Sequence, residues 1–434
     1  MSPAWTILLA LVCSLSRVSS DGQSDGTNTT LSLVQLLFRH GDRAPQSTYP
    51  TDQYQQATWR MGWGMLTDVG AEQSFDLGRF LKDNYKQLNF GSLTDSEVYV
   101  RSTSVTRARM TAECVMEGML LANASQCNMK TMLQPVRVHY QDQSHDQLLS
   151  MAPCPLKESL KQEWRSTSSA WAGFLNHCKK MFKYLSRFTG WKVDETNILR
   201  IADALYCEMR HDLKQPSWMN PEILLLMDVY NRSSAFAYPT AEMQKLGAGP
   251  LLEQMLSNIK LKLIDPGSQM KLYMYSAHDN NIIAFLSALG VFNSIQPPYT
   301  ACVMLELYHR NNLFFVKVLY RNDTAVPPYT LIIPGCAALC PIATFHRLLS
   351  NVTLEAESRA SMCGSTQAAS GATTTPNTYI VPLAAAGALI LLAVAAVAMY
   401  FLHQHRHRLS KRVVNYCQLL HGPENNTDED ELVI

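Results

Sequence analysis

The sequence lacks any excess of charge: 37 Lys and Arg stand against 36 Asp and Glu, a formal net charge of +1. A nucleic-acid partner would require a basic face, and no Lys/Arg block lies outside the C-terminal tail, so no such partner is expected. No Cys-x-x-Cys pair occurs, which removes the usual spacing of a structural zinc site. Internal repeats are absent too, which argues against a repeat architecture. What remains is a globular composition, 47% hydrophobic and 17% charged. At 434 residues the chain is long enough for one large domain or two ordinary ones.

Two apolar segments set the expected topology. Ile7 to Leu15 is too short to span a bilayer, and Val18-Ser19-Ser20 supplies small residues for cleavage before Asp21. Residues 1–20 therefore read as a secretory signal, although its start carries no Lys or Arg. Ile380 to Leu402 runs 23 residues without a charge, long enough for a membrane-spanning helix. The basic flank that follows, from His403 to Arg412, belongs on the cytosolic side. It also accounts for His403, His405 and His407 without a metal. The expectation is a single-pass type I membrane protein with residues 21–363 as its luminal or extracellular domain. A Ser/Thr/Ala/Gly-rich stalk at 364–379, a span at 380–402 and a cytosolic tail at 403–434 complete it.

Sequons at Asn28, Asn123, Asn231, Asn322 and Asn351 all precede the span and are expected glycosylation sites, whereas Asn425 falls in the tail. Of 11 Cys, Cys13 lies in the signal and Cys417 in the tail, leaving nine, an odd number, in the outer part. At least one thiol there is unpaired or intermolecular. In the tail, Tyr416-Cys-Gln-Leu419 has the form read by sorting adaptors, and the acidic end after it reads as solvated.

Along the outer part, Thr30 to Phe38 reads as a buried strand and Thr67 to Tyr85 as a helix capped by Thr67 or Asp68. Glu97 to Val100 then predicts a strand, Val105 to Leu121 a helix, Lys271 to Ser276 a strand, and Asn280 to Leu289 a helix. That alternation predicts an α/β fold: a mixed, mainly parallel sheet flanked by helices. Residues 150–266, rich in helix formers and aromatics, read as an inserted helical cap. Cys302–Tyr308 and Phe314–Tyr320 predict a hairpin around Asn311-Asn312.

The chemistry concentrates where these strands end. Arg39-His40-Gly41-Asp42-Arg43 follows the first strand, and α/β sheets place ligand sites at strand C-termini. Guanidinium forks match phosphate oxygens, and Gly41 lets the backbone turn and approach a ligand closely. Arg107 falls on the first turn of a helix, whose N-terminus favours an anion. His278-Asp279 follows another apolar strand; His278 can hold a phosphate oxygen. Asp279 can serve as a general acid, a helix N-cap, or both.

This ordered set resembles the histidine acid phosphatase family, of the lysosomal, prostatic and testicular type, over about Leu31 to Cys363. The resemblance implies hydrolysis of phosphate monoesters through a phosphohistidine at His40, with Asp279 as proton donor. It assigns phosphate binding to Arg39, Arg43, Arg107 and His278, and it requires no cofactor or metal. A protonated Asp279 implies an acidic optimum. Disulfides Cys154–Cys363, Cys207–Cys302 and Cys336–Cys340 are implied as well. Cys114, Cys127 and Cys178 then fit no family pair, with a Cys114–Cys127 bridge or buried thiols as the alternatives. Homodimers and a lysosomal, endosomal or cell-surface location are further implications. Two rival readings are a membrane binding or adhesion glycoprotein on an inactive scaffold, and a phosphatase of narrow taste for lipid, phytate-like or phosphotyrosine substrates. Substrate choice is expected from the cap and from the Tyr49–Trp63 loop.

Overall fold

The computed structural model describes residues 29–364, apart from 91–92, 121–126, 128–136 and 220–222. The expected signal, the stalk from residue 365, the span, the tail with Tyr416 and Leu419, and the sequons Asn28 and Asn123 lie outside the described residues. Of the remaining sequons, Asn351 is exposed, while Asn231 and Asn322 are half-buried. Among the described residues, no helix is long and apolar enough to cross a membrane.

Strand β1 (Thr30–Arg39) is buried along almost its whole length, because both of its faces are covered. Leu33 and Leu37 enter one hydrophobic cluster, whereas Val34, Leu36 and Phe38 enter another on the opposite face. That second layer is built by α1 (Asp68–Asn84) and α2 (Thr106–Leu120), with β2 (Val98–Ser102) between them in sequence. The two helices meet through glycine. A Cβ on Gly78 would lie 2.1 Å from the Val115 carbonyl oxygen, and one on Gly118 would lie 2.1 Å from that of Phe75.

After the short β3 (Val138–His139) the chain enters four helices: α3 (Pro155–Thr167), α4 (Ser169–Leu185), α5 (Ile198–Arg210) and α6 (Ile223–Ser233). The apolar faces of α4, α5 and α6 form a separate core around Met181, Leu185, Ile201, Leu205 and Leu226, which Tyr49 joins from the loop after β1. Helix α3 packs instead through Leu156 and Leu160 beside Cys154, Leu246 and Cys363. This is the expected cap, with an earlier end. Helix α7 (Ala241–Ile264), placed in the cap by its sequence, packs on the sheet through Leu251, Leu252, Met255 and Ile259. It covers the β1 face opposite α1 and α2, beside α8 (Asp279–Ala288), which follows β4 (Leu272–Ala277).

The sheet has eight strands, in the order β3-β2-β4-β1-β5-β6-β7, with β8 (Cys340–Pro341) on β6. It is mixed, but "mainly parallel" needs correction. The β3-β2-β4-β1 half is parallel, whereas β1 pairs antiparallel with β5 (Cys302–Arg310), and every ladder beyond is antiparallel. For β5 and β6 the reason is hairpin geometry. Asn311 and Asn312 both adopt positive φ, 51° and 61°, a turn that returns the chain antiparallel into β6 (Leu313–Arg321), which β7 (Tyr329–Leu331) extends. Helices α9 (Ile342–Leu349) and α10 (Ala356–Met362) close the domain.

Disulfides Cys154–Cys363, Cys336–Cys340 and Cys114–Cys127 are formed. The implied Cys207–Cys302 pair is not: both thiols are buried and unpaired, as is Cys178. Cys302 points into the layer between the sheet and α1/α2, while Cys207 sits on cap helix α5 against Arg43 and Tyr299. Alkylation of the denatured, unreduced domain should therefore label these three thiols. Only Cys178 would be labelled if Cys207 and Cys302 were bonded, a difference that intact mass measures directly.

Candidate active site

Because β1, β2 and β4 run parallel in register, their C-terminal ends open side by side, with Arg39 opposite Ala277 and Ser102 opposite Ser276. The chain leaving β1 is pinned at once. Gly41 N–H donates to Thr111 Oγ1 (3.1 Å) and Asp42 N–H to Gln73 Oε1 (2.9 Å). Gly41 and Gly70 face each other so closely that a Cβ on Gly41 would sit 2.2 Å from the Gly70 carbonyl oxygen. Thr67, the N-cap of α1, accepts from Gly70 N–H and donates its own hydroxyl to Asp42 Oδ1 at 2.7 Å.

His40 is buried, and its Nδ1 lies 2.8 Å from the Gly41 carbonyl oxygen. A carbonyl can only accept, so Nδ1 carries the proton and Nε2 presents a lone pair. Burial holds this imidazole well below its ordinary 6.5, and the nearby Arg107, Arg39, His278 and Arg43 push the same way. His278, its ring centre 5.5 Å away, is pushed down to about 3 by burial and by Arg107, against the opposing pull of Asp279. Thr103 Oγ1 meets His278 Nε2 at 3.1 Å, and His278 Nδ1 has no partner among the described residues.

Three guanidiniums surround these rings. Arg39 Nη1 donates to the Pro297 carbonyl (2.6 Å), its Nη2 lies 3.2 Å from Asp279 Oδ2, and its plane sits 4.3 Å over the Tyr299 ring. Arg43 forms a two-pronged pair with Asp203 of α5, at 3.0 and 2.9 Å. Arg107, on the first turn of α2, donates to the Gly64 carbonyl (3.3 Å) and has no ion pair within 4.0 Å among the described residues. Burial and Arg43 push its guanidinium down to about 10, still charged at any physiological pH. Among the described residues, the Nε–H groups of Arg39, Arg43 and Arg107 have no acceptor. Three cations against Asp203 and Asp279 leave one positive charge unanswered, with unpartnered donors beside it. Such a set matches a tetrahedral oxyanion.

Asp279 is the first residue of α8; the N-cap is His278, which overturns the N-cap alternative for Asp279. Its Oδ1 accepts from Asn280 N–H (2.8 Å) and its Oδ2 from Gln296 Nε2 (2.7 Å). Burial would raise this carboxyl, but Arg39, Arg43 and His278 outweigh burial and hold it below 3.8. His40, Arg43, Arg107, His278 and Asp279 line one cavity of about 360 Å³, and Arg39 adjoins it through its ion pair with Asp279. All six residues expected from sequence thus meet in one place.

Sequence reasoning missed Asp203, Gln296 and Tyr299, and with them His211, whose Nε2 lies 2.7 Å from Asp42 Oδ1. Asp203 and His211 come from α5 and its C-cap, about 160 residues from their partners. Nothing local in the sequence marks them, although a buried Arg without a nearby carboxylate does demand one from elsewhere. Among the described residues, no three His, Cys, Asp or Glu side chains gather as a metal site.

Residues 30–321 match the family model described as histidine phosphatase superfamily (branch 2). Mouse (Mus musculus) prostatic acid phosphatase is 34% identical over 338 residues, covering 75% of this chain and 88% of that protein. Human (Homo sapiens) lysosomal acid phosphatase is 36% identical over 337 residues, covering 74% and 78%. Among solved structures, the apo form of a Hafnia alvei phytase superposes with a TM-score of 0.58 at 18% identity, over 76% of this chain and 98% of that one. That last likeness concerns the fold.

Two measurements test the electrostatics. In nitrogen NMR of the ligand-free protein, His40 should keep its neutral Nδ1–H form from about pH 7 to about pH 5; a midpoint near 6.5 would contradict the burial argument. Asp203→Ala leaves the buried Arg43 charge without its partner and should lower unfolding stability by about 3–5 kcal/mol. Chemical denaturation reads that loss, and a change within error would mean the pair is dispensable.

Proposed function

Because the chain belongs to the histidine phosphatase superfamily, branch 2, we propose that it is an acid phosphatase that hydrolyses phosphate monoesters through a phosphohistidine. The observation that carries this reading is the bond from His40 Nδ1–H to the Gly41 carbonyl. It leaves Nε2 as a free base within a ring of guanidiniums, in the same cavity as the Asp279 carboxyl.

In the first step Nε2 of His40 attacks phosphorus, the bond to the leaving oxygen breaks, and Asp279 gives that oxygen its proton. The unpartnered donors of Arg39, Arg43, Arg107 and His278 hold the three remaining oxygens. In the second step a water attacks phosphorus, its proton passes to the Asp279 carboxylate, and the P–N bond breaks to release phosphate and the free imidazole. The Gly41 carbonyl serves both steps, since it accepts from Nδ1–H whether the ring is neutral or phosphorylated.

Asp279 must hold a proton at the start, yet the arginines favour its ionised form. A bound phosphate ester answers those arginines with negative charge, which raises the Asp279 affinity for a proton, and acid completes the requirement. His40 stays a free base because burial and its cationic neighbours disfavour the imidazolium. Rate should therefore fall as pH rises and the Asp279 of the complex ionises.

The reading extends to location. The signal, span and sequons, the three disulfides and the lysosomal relatives support a luminal or extracellular domain on a type I membrane anchor.

With an aryl phosphate, His40→Ala should abolish turnover, a loss of at least about 10⁴-fold, and no acid-quenched phosphoprotein should form. Asp279→Asn should cost about 10²–10⁴-fold with an alkyl phosphate and less with nitrophenyl phosphate, whose leaving group needs no proton. An optimum at neutral or alkaline pH, or equal losses on both esters, would remove Asp279 from the proton-donor role.

A further inference from the structure

The proton donor fixes where a leaving group must go. Its oxygen meets Asp279, so the rest of it extends away from His40 into the space beyond that carboxyl. That space is a second chamber of about 600 Å³, which shares Arg43, Lys161 and Asp279 with the catalytic cavity. One wall is aromatic: Trp171, Phe174 and Phe236 stand with ring centres 5.1–5.5 Å apart.

Cap helix α3 forms the other wall. Lys157, Lys161 and Arg165 fall at successive four-residue steps and so share one face, a row of about 12 Å. Lys157 and Lys161 line the catalytic cavity, and Lys161 and Arg165 line the chamber, so the row leads from one to the other. Arg165 lies 4.3 Å over the Trp171 ring, and its buried Nε–H has no acceptor. Lys157 is partly answered by Glu158 at 3.9 Å, and Glu195 also faces the chamber. Lys161 has no ion pair within 4.0 Å among the described residues, and Asp203 is already committed to Arg43. A row of solvated helix charges would face outward; this one faces the reaction.

We infer that Lys161, with Arg165 beyond it, is a subsite for a second anionic group carried by the leaving group. The favoured substrate is then a phosphate monoester whose leaving group joins an aromatic or apolar body to a carboxylate or a further phosphate. This assignment rests on the acid phosphatase reading above. A charge-assisted contact in a half-buried wall corresponds to about a 10-fold preference, weakened by salt.

The test uses two isosteric esters, 4-carboxyphenyl phosphate and its neutral carboxamide analogue, with the full-length chain at low ionic strength. Wild type should show a kcat/KM ratio near 10 in favour of the carboxylate. Lys161→Met should bring the ratio close to one, Lys161→Arg should preserve it, and added salt should shrink it. Turnover of both esters with a ratio of one or less in wild type, or a ratio unmoved by Lys161→Met, overturns the subsite and leaves the phosphatase reading standing. A folded wild type that turns over neither ester overturns both.

Discussion

Three guanidiniums brought together out of water are the constraint around which this domain is arranged. Arg39, Arg43 and Arg107 raise one another's cost, and each needs an answer from a different part of the chain. Arg39 is answered by Asp279 at the start of α8 and by the Tyr299 ring. Arg43 is answered by Asp203 from the cap. Arg107 is met, among the described residues, by the Gly64 carbonyl and by no ion pair within 4.0 Å. The arrangement is therefore short of negative charge, and that shortage gives the site its character. It keeps two histidines unprotonated and favours any tetrahedral anion that can reach the unpartnered N–H groups.

The cap is part of this balance. Helix α5 sends Asp203 to Arg43 and, from its C-cap, His211 to Asp42, so it grips two successive residues of the loop that follows His40. A further contact of the same helix, Glu208 with Asp52, joins two carboxyl groups. Burial and the Asp52 charge push Glu208 up to about 9, so it stays protonated in acid. The loop that carries His40 is thus held by a helix that brings it a carboxyl protonated in acid, and by the close Gly41–Gly70 approach.

Much of this was legible in the sequence because the parallel half of the sheet concentrates its chemistry at strand ends. An apolar run followed at once by Arg39-His40-Gly41, by Arg101-Ser102-Thr103 or by His278-Asp279 marks both a strand and a loop at the same edge. The hairpin at Asn311-Asn312 was equally visible, since Asn tolerates the positive φ that the turn requires. What escaped was set by tertiary contact. Helix α7 has the composition of a cap helix, and only its packing on β1 shows otherwise. Cys207 and Cys302 share a compartment but not a face, a distinction that spacing does not carry. Asp203, Gln296 and Tyr299 hold Arg43, Asp279 and Arg39 from far along the chain and leave no local pattern.

The bond between Cys154 and Cys363 spans 209 residues, from the N-cap of α3 to the C-cap of α10. It therefore encloses the cap helices α3 to α6, the His278-Asp279 pair and strands β5 to β8 in one covalent ring. A protease that cuts an exposed cap loop opens the ring without releasing a fragment, and the pieces stay at high effective concentration for each other. In a compartment rich in hydrolases, such a domain can be nicked and still keep its parts together.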